Sequence, residues 1–207
     1  PSLPIMTGRR GEKPSVSENR LIPLESFGMH TLSIGNLVEE NDAVIWRGPM
    51  VHQALEQLLR DTNWPGGDFM IIDLPPGTGD AQLSLSQLCE FTGAIIVSTP
   101  QDVALIDAVK AAQMFSKVEI DILGIVENMS FFTCPKCGEE TPIFSRHGAE
   151  EACKKLEAPF LGAIPIELQV RVGGDEGKPL MASNLDSPAT TAFKNIADNL
   201  VKVLEGE

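Results

Sequence analysis

Residues 93–99 read Gly-Ala-Ile-Ile-Val-Ser-Thr, in which an apolar run from Ala94 to Val97 is unbroken and Pro100 ends the stretch. Continuous apolarity, as opposed to alternation, is typical of a strand covered on both faces, as in a parallel sheet. Asp102 follows at once and can cap a helix that we expect from Val103 to about Ser116. This stretch therefore predicts one strand and one helix of a βα unit.

Similar strand and helix patterns lie on both sides of this unit. Residues 1–28 are the exception, because they are rich in Pro, Gly, Ser and charge and predict loop with a short turn of helix. Further strands are expected at 30–38, 68–74, 120–127 and 159–164, and further helices at 50–60, 81–90, 147–157 and from Asp186 or Ser187 to about 204. Strands that alternate with helical patterns predict right-handed βαβ units. We therefore expect an α/β fold whose mostly parallel sheet carries helices on both faces.

Size, composition and charge narrow the possible functions. At 207 residues the chain fits one generous domain, and its 43% hydrophobic content can bury a core. A formal net charge of -13 would repel nucleic-acid phosphates and anionic lipid, and the lack of Tyr argues against a base-stacking surface. No apolar run approaches the ~20 residues of a membrane span, and the first residues carry no export signal. We therefore expect neither nucleic acid nor membrane as a partner.

A carboxylate ends the apolar run at 68–74, and a glycine-rich turn follows it as Asp73-Leu-Pro-Pro-Gly77-Thr-Gly-Asp80. A strand would hold Asp73 rigidly beside a metal ion, and Gly77 and its neighbours would let backbone N–H groups approach phosphate oxygens. These features suit a phosphate and Mg²⁺ site. The alternative is a tight strand-to-helix connection in which Asp80 is an ordinary helix cap.

Cys134-Pro-Lys-Cys137-Gly138 is half of a metal site. Two thiolates separated by two residues can chelate one metal ion, or two corners of a cluster, and Gly138 eases the turn. A thioredoxin-type pair would start a helix, which the residues after Gly138 do not predict. Cys134 and Cys137 therefore need two more ligands, and the simplest source is the same pair on a second subunit across a two-fold axis.

The other candidate metal ligands of the chain are weaker. A structural zinc ribbon would need a second Cys-x-x-Cys pair or a nearby His pair, and the sequence has neither. Cys89 and Cys153 lie in predicted helices, where a cysteine is more often a small buried hydrophobe. His147 stands alone, ten residues after Cys137, and we expect it at the surface.

A third polar cluster, Glu127-Asn128-Met129-Ser130, ends the strand predicted at 120–127. The Asn128 amide offers both a donor and an acceptor, which suits the edge of a nucleotide base. The alternative is a polar strand-end residue that closes a turn.

The phosphate loop Gly-x-x-x-x-Gly-Lys-Ser/Thr is absent from the 207 residues. Gly177-Lys178 does not complete this motif, because Pro179 follows it in place of Ser or Thr.

Five motifs occur in a specific order along the chain: Trp46-Arg-Gly-Pro-Met, Asp73-Leu-Pro-Pro-Gly-Thr-Gly-Asp-Ala-Gln-Leu, Ser98-Thr-Pro-Gln-Asp, Glu127-Asn-Met-Ser and Cys134-Pro-Lys-Cys-Gly. In this combination the chain resembles the Mrp/ApbC family of ParA/MinD-like P-loop ATPases, which carry iron–sulfur clusters. The resemblance runs from Pro1 to about the last helix. It implies a homodimer whose [4Fe-4S] cluster is bridged by Cys134 and Cys137 of each subunit.

The resemblance also implies a nucleotide site. Asp73 would be the Walker B carboxylate acting on Mg²⁺, Asn128 would contact adenine, and the backbone around Pro165 would line the base pocket. The family's phosphate loop lies upstream of the segment that Pro1 continues. Residues 1–207 would then be a single ParA/MinD-like ATPase domain that is incomplete at its amino end, with a cluster loop at 130–146.

The function expected from this resemblance is an iron–sulfur cluster carrier or scaffold that transfers a [4Fe-4S] cluster to apoproteins. The full-length form would be a P-loop ATPase that couples transfer to ATP binding and hydrolysis, whereas these 207 residues lack the Walker A loop. A Cys-x-x-Cys pair without an export signal indicates a reducing compartment, so we expect a cytoplasmic protein. The alternatives are a zinc-bridged dimerisation module without catalytic activity and a ParA-like positioning ATPase. The cysteine pair and the acidic charge argue against the positioning ATPase.

Overall fold

The structure is a computed structural model that describes residues 2–38, 48–74, 80–134, 136–145, 147–183 and 185–206. Gly77 lies outside these residues. The chain divides into two compact units, one formed by Pro1–Glu90 with Arg171–Ser183 and the other by Phe91–Val170 with Asn184–Glu207. The expectation of a single ATPase domain therefore stays a prediction, and each unit is described separately.

The first unit combines short hairpins with helices. Its elements are α1 (Leu3–Met6), β1 (Ser15–Ser17), β2 (Arg20–Ile22), β3 (Leu24–Ser26), β4 (Met29–Thr31), α2 (Gly48–Leu59) and α3 (Asp80–Leu88). Strands β1 and β2 pair antiparallel, as do β3 and β4. The two longer helices confirm the predictions at 50–60 and 81–90. The prediction of loop for 1–28 missed these hairpins.

The strand predicted at 30–38 is wrong beyond its first two residues. Strand β4 ends at Thr31, and a 3₁₀ turn occupies Ile34–Asn36. The Ser33 hydroxyl accepts a hydrogen bond from the Gly35 N–H, and the Asn36 side-chain oxygen accepts one from the Ser33 N–H. Such local side-chain bonds offer the backbone an alternative to a strand ladder.

The strand predicted at 68–74 is also absent: these residues have no regular secondary structure. Phe69 and Ile71 are 67% and 88% exposed. An apolar parallel strand is stable only where neighbouring strands pair with it and helices cover it, and none of the described strands pairs with this segment. Asp73, at its end, is exposed.

The second unit is built on a parallel sheet. Its elements are β5 (Ala94–Ser98), α4 (Asp102–Lys117), β6 (Ile122–Glu127), β7 (Phe132–Thr133), β8 (Glu140–Thr141), α5 (Gly148–Leu156), β9 (Phe160–Ala163), the start of α6 (Leu168–Asp175) and α7 (Pro188–Glu205). Strands β5, β6 and β9 lie in that order, and both pairs are parallel. The α/β class with a parallel sheet is thereby confirmed, together with the strands predicted at 93–99, 120–127 and 159–164.

Helices cover both faces of this sheet. On one face Ile96 and Ile125 pack with alanines of α4 and α5 and with Cys153. On the other face Val126, Leu161 and Ile164 pack against α7. Because successive strand residues point to opposite faces, the neighbours Ile125 and Val126 contribute to different cores.

Coverage of β5 is incomplete, which departs from the expectation of a strand buried on both faces. Ile96 and Ser98 are buried, whereas Val97 is 61% exposed. The described helix α7 packs on β6 and β9, so it does not shield the Val97 side of β5.

Among the described residues, no helix combines the length and apolarity needed to cross a bilayer.

Candidate functional site

The predicted cysteine pair occupies the end of a short hairpin. Strands β7 and β8 pair antiparallel, with Thr133 opposite Glu140. The Cys134 N–H donates to the Glu139 carbonyl at 2.9 Å, and the Gly138 N–H donates to the Cys134 carbonyl at 2.8 Å. Gly138 has a φ of +75°, a left-handed conformation that a residue without Cβ adopts at little cost. The hairpin therefore folds the two cysteines back towards each other.

Hydrogen bonds to sulfur favour the charged form of Cys134. Hydrogen bonds from the Lys136 N–H, which has the largest effect, and from the Cys137 N–H and the Cys137 thiol lower the pKa of Cys134. The thiolate is the form that binds metal. N–H donors to sulfur also tune the potential of iron–sulfur clusters. The local backbone thus favours the charged form of Cys134, and metal binding by this residue stays a prediction.

The pair is accessible and short of ligands. Cys137 is exposed and Cys134 is half-buried. Within the described ranges, no group of three or more His, Cys, Asp or Glu side chains is placed to hold a metal ion. Cys89 and Cys153 are free cysteines whose pKa values burial raises. The described part of one chain therefore brings together two accessible cysteines at this site.

The base of the hairpin is fastened to the segment that follows β9. The Ser130 N–H donates to the Ile164 carbonyl at 3.0 Å, and the Ile166 N–H donates to the Phe131 carbonyl at 2.6 Å. Phe132 and Ile166 form a parallel bridge. Pro165 lies within this fastened segment and is buried. The structure thus brings the start of the cysteine loop beside Pro165.

Asn128 closes a turn directly after β6. Its N–H donates to the Ser98 carbonyl at 2.7 Å, and its side-chain oxygen accepts the Met129 N–H at 2.9 Å. Met129 has a left-handed φ of 55°. This geometry agrees with the alternative given for Asn128, a polar strand-end residue that closes a turn. The half-buried Asn128 amide retains its NH₂ group as a possible donor to a base, and its contact with adenine stays a prediction.

Pro165 borders a cavity of about 830 Å³ between β9 and α7. Its lining is formed by Phe131, Phe160, Leu161, Gly162, Ala163, Pro165, Asp186, Ser187, Pro188, Thr191, Ala192, Asn195 and Asn199. The Asn199 side chain donates to the Leu161 carbonyl at 2.9 Å. The role of Pro165 in a base pocket stays a prediction.

Glu127 is a residue whose importance the sequence analysis missed. It ends β6, is 2% exposed, and accepts hydrogen bonds from the Ser130 hydroxyl and the Ala149 N–H. The sequence signal that could have revealed Glu127 is an acidic residue at the end of an otherwise apolar strand. A carboxylate buried at such a position needs hydrogen-bond partners.

The parallel sheet, with polar groups at the carboxyl ends of its strands, defines an α/β fold of the class that binds ligands at that edge. A family model described as ParA: NUBPL iron-transfer P-loop NTPase matches residues 1–201. The chain therefore belongs to this family.

Individual proteins agree with this assignment. The "Iron-sulfur cluster transfer protein NUBPL" of Dictyostelium discoideum is 51% identical over 207 residues, covering 99% of this chain and 64% of that protein. The "Iron-sulfur cluster carrier protein" of Escherichia coli strain K12 is 44% identical over 205 residues, covering 99% of this chain and 56% of that protein. The chain thus spans less than two thirds of the length of these relatives.

A solved structure supports the fold. The nucleotide-binding protein in complex with ADP from Archaeoglobus fulgidus matches with a TM-score of 0.75 and 33% sequence identity. The match covers 91% of this chain and 72% of that one.

Proposed function

We propose that this chain carries an iron–sulfur cluster, of the [4Fe-4S] type, and transfers it to apoproteins. The observation on which the proposal rests is the β7–β8 hairpin that brings Cys134 and Cys137 together, with hydrogen bonds that lower the pKa of Cys134. The names of the Dictyostelium and Escherichia coli relatives support the same cargo.

Two copies of the chain would hold one cluster. A [4Fe-4S] cluster is bound by four thiolates, and each hairpin supplies two. A two-fold axis through the cluster would give each copy the same role. Because Cys137 is exposed, a thiolate of a recipient apoprotein could approach and displace it. Ligand exchange at an accessible cluster is what transfer requires.

Nucleotide binding would belong to the longer protein. Asn128 and the backbone around Pro165 would contact the base, Gly77 would approach the phosphates, and Asp73 would act on Mg²⁺. The ADP bound to the Archaeoglobus protein supports a nucleotide site in this fold. In the longer form, ATP binding and hydrolysis would be coupled to cluster binding.

A reducing compartment suits this function. Cys134 and Cys137 are accessible free thiols, and an oxidising environment would drive such a pair towards a disulfide. We propose the cytoplasm as that compartment.

Anaerobic reconstitution tests the proposal. The 207-residue chain is incubated with ferrous iron, sulfide and a thiol reductant, desalted, and assayed for visible absorption, iron and sulfide. We expect a brown protein with roughly two iron and two sulfide per chain. Cys134→Ser and Cys137→Ser should lose the colour, whereas Cys89→Ser, at a half-buried free cysteine, is the matched control and should keep it.

Two outcomes would contradict the proposal. A colourless protein that takes up zinc in preference to iron and sulfide would indicate the zinc-bridged dimerisation module. Equal loss of cluster in Cys89→Ser would remove the assignment to Cys134 and Cys137.

A further inference from the structure

The Glu127 carboxylate is buried at the end of β6, and both of its oxygens accept hydrogen bonds. The Ser130 hydroxyl donates to Oε1, and the Ala149 N–H donates to Oε2 at 2.9 Å. The backbone of Glu127 is held as firmly, because it pairs with Ser98 on one side and with Ala163 on the other. Glu127 is therefore a rigidly held hydrogen-bond acceptor inside the second unit.

The two donors stand at opposite ends of the segment that carries the cysteine pair. Ser130 precedes strand β7, and Ala149 is the second residue of α5. The hairpin with Cys134 and Cys137 lies between them. One side chain thus bonds to both ends of residues 130–149, and at the first end it adds to the backbone bonds with Ile164 and Ile166.

At the α5 end, Glu127 acts in place of a local helix cap. His147 is the residue before the helix, has a left-handed φ of 67°, and makes no side-chain capping bond. The first N–H groups of a helix need an acceptor and favour a negative charge. Ala149 is 0% exposed, so water is excluded from its N–H. Without the Glu127 carboxylate this N–H would lack its acceptor.

We propose that Glu127 is the positioning residue of the cysteine loop, fixing both ends of residues 130–149 so that the hairpin presents Cys134 and Cys137 in one orientation. The inference rests on the proposed function, because the orientation of the hairpin matters only if two chains share one cluster. A fixed hairpin loses less conformational freedom when the second copy joins.

Amide hydrogen exchange on the 207-residue chain without cluster tests the positioning directly. Glu127→Ala removes both acceptors, so the amides of 130–149 should exchange about tenfold faster or more. Glu127→Gln should largely rescue protection, because its carboxamide oxygen can accept the Ala149 N–H while its NH₂ donates to the Ser130 oxygen. The matched control is Glu139→Ala, at an exposed glutamate of the same loop, which should exchange as the wild type does.

Ser130→Ala is the second variant, should Glu127→Ala fail to fold. It removes the side-chain bond at one end only and leaves the backbone bonds to Ile164 and Ile166 in place. Exchange should therefore rise around residues 130–134 and stay unchanged in the first turn of α5. Unchanged exchange in the loop of either variant would overturn the proposal. So would an equal acceleration in the loop and in strands β5 and β6, since that would indicate a general loss of stability.

Cluster retention gives the functional readout. After anaerobic reconstitution, an iron chelator should strip Glu127→Ala about tenfold faster than the wild type, with Glu127→Gln and Glu139→Ala close to the wild type. Faster loop exchange with unchanged cluster retention would overturn the proposal. A wild-type chain that takes up no cluster would refute the proposed function, while the exchange result would still judge the positioning of the loop.

Discussion

The backbone of Gly148 lies so close to Pro100 that a Cβ built on Gly148 would stand 2.5 Å from the Pro100 carbonyl oxygen. The same Cβ would be 2.7 Å from a methyl carbon of Leu105. Helix α5 thus begins directly against the turn between β5 and α4. This contact, together with Glu127, fixes the point at which the cysteine loop returns to the sheet.

Gly148→Ala should therefore destabilise the second unit. The clash is with backbone, which cannot move aside as a flexible side chain can, so we expect a loss of about 1–3 kcal/mol in the free energy of unfolding. Urea denaturation followed by circular dichroism measures it. Gly66→Ala is the control, because nothing lies within 4 Å of its added Cβ. Equal stability of Gly148→Ala and the wild type would show that the backbone at Pro100 can accommodate the added Cβ.

Thiol reactivity should rank the cysteines by their pKa values. Hydrogen bonds from Lys136 and Cys137 lower the pKa of Cys134, whereas burial, with a smaller effect of the Glu150 charge, raises that of Cys153 to about 11. Because the thiolate is the nucleophile, iodoacetamide at pH 8 should alkylate Cys134 first and Cys153 last. Mass spectrometry of digested samples reads the order. Cys153 modified as fast as Cys134 in the folded chain would contradict it.

The raised pKa of Cys153 also predicts a pH dependence of stability. The folded state holds this proton more tightly than the unfolded chain, whose thiol has a pKa near 9.0. The contribution to stability is therefore complete below pH 9 and is lost as the pH rises towards 11. Urea midpoints at pH 8 and pH 10.5 should show this fall, and Cys153→Ala should reduce it.

Local sequence patterns predicted most of the second unit. Ser187 and Pro188 mark the start of α7, and the Ser187 hydroxyl accepts the Thr190 N–H as a capping residue should. The strand at 93–99 was predictable because apolar residues run unbroken from Ala94 to Val97 before Pro100. The strand at 120–127 was predictable because β-branched and other apolar residues predominate in it.

The remaining features depend on contacts that a local pattern does not contain. The apolar run at 68–74 resembles a buried strand, yet a strand also needs partners, and none of the described strands pairs with it. The bond between Glu127 and Ala149 joins residues 22 positions apart, so it leaves no periodic signal. The cysteine pair was predictable as a chelating motif, whereas its fastening to Ile164 and Ile166 was not.

Cluster binding and dimerisation should be linked. Two thiolates per chain leave a [4Fe-4S] cluster half-ligated, so full ligation needs a second copy. Sedimentation velocity under anaerobic conditions should show a dimer for the reconstituted chain and a shift towards monomer after iron chelation. Cys134→Ser treated in the same way should stay monomeric. A monomer with a complete cluster would contradict the shared site.

The 207-residue chain should show no specific ATP turnover. Phosphate binding in this class comes mainly from the backbone N–H groups and lysine of the Gly-x-x-x-x-Gly-Lys-Ser/Thr loop, which the sequence lacks. Mg²⁺ cannot replace that loop, because it is recruited largely by bound phosphates and keeps several waters. Phosphate release measured with and without Mg²⁺ should stay at background. Turnover that depends on Asp73 would reveal a phosphate site in this sequence.

A longer chain in which such a loop precedes Pro1 should recover both ATP binding and turnover. Asp73→Asn in that chain should lower turnover more than binding, because a carboxylate that orients Mg²⁺ acts mainly on the transition state. Asp68→Asn, at the other end of the same apolar run, is the matched control and should leave turnover unchanged. Phosphate release and equilibrium ATP binding, measured on the three longer chains side by side, separate the two effects. Undiminished turnover in Asp73→Asn would exclude Asp73 from catalysis, and an equal fall in binding and turnover would limit it to holding the nucleotide.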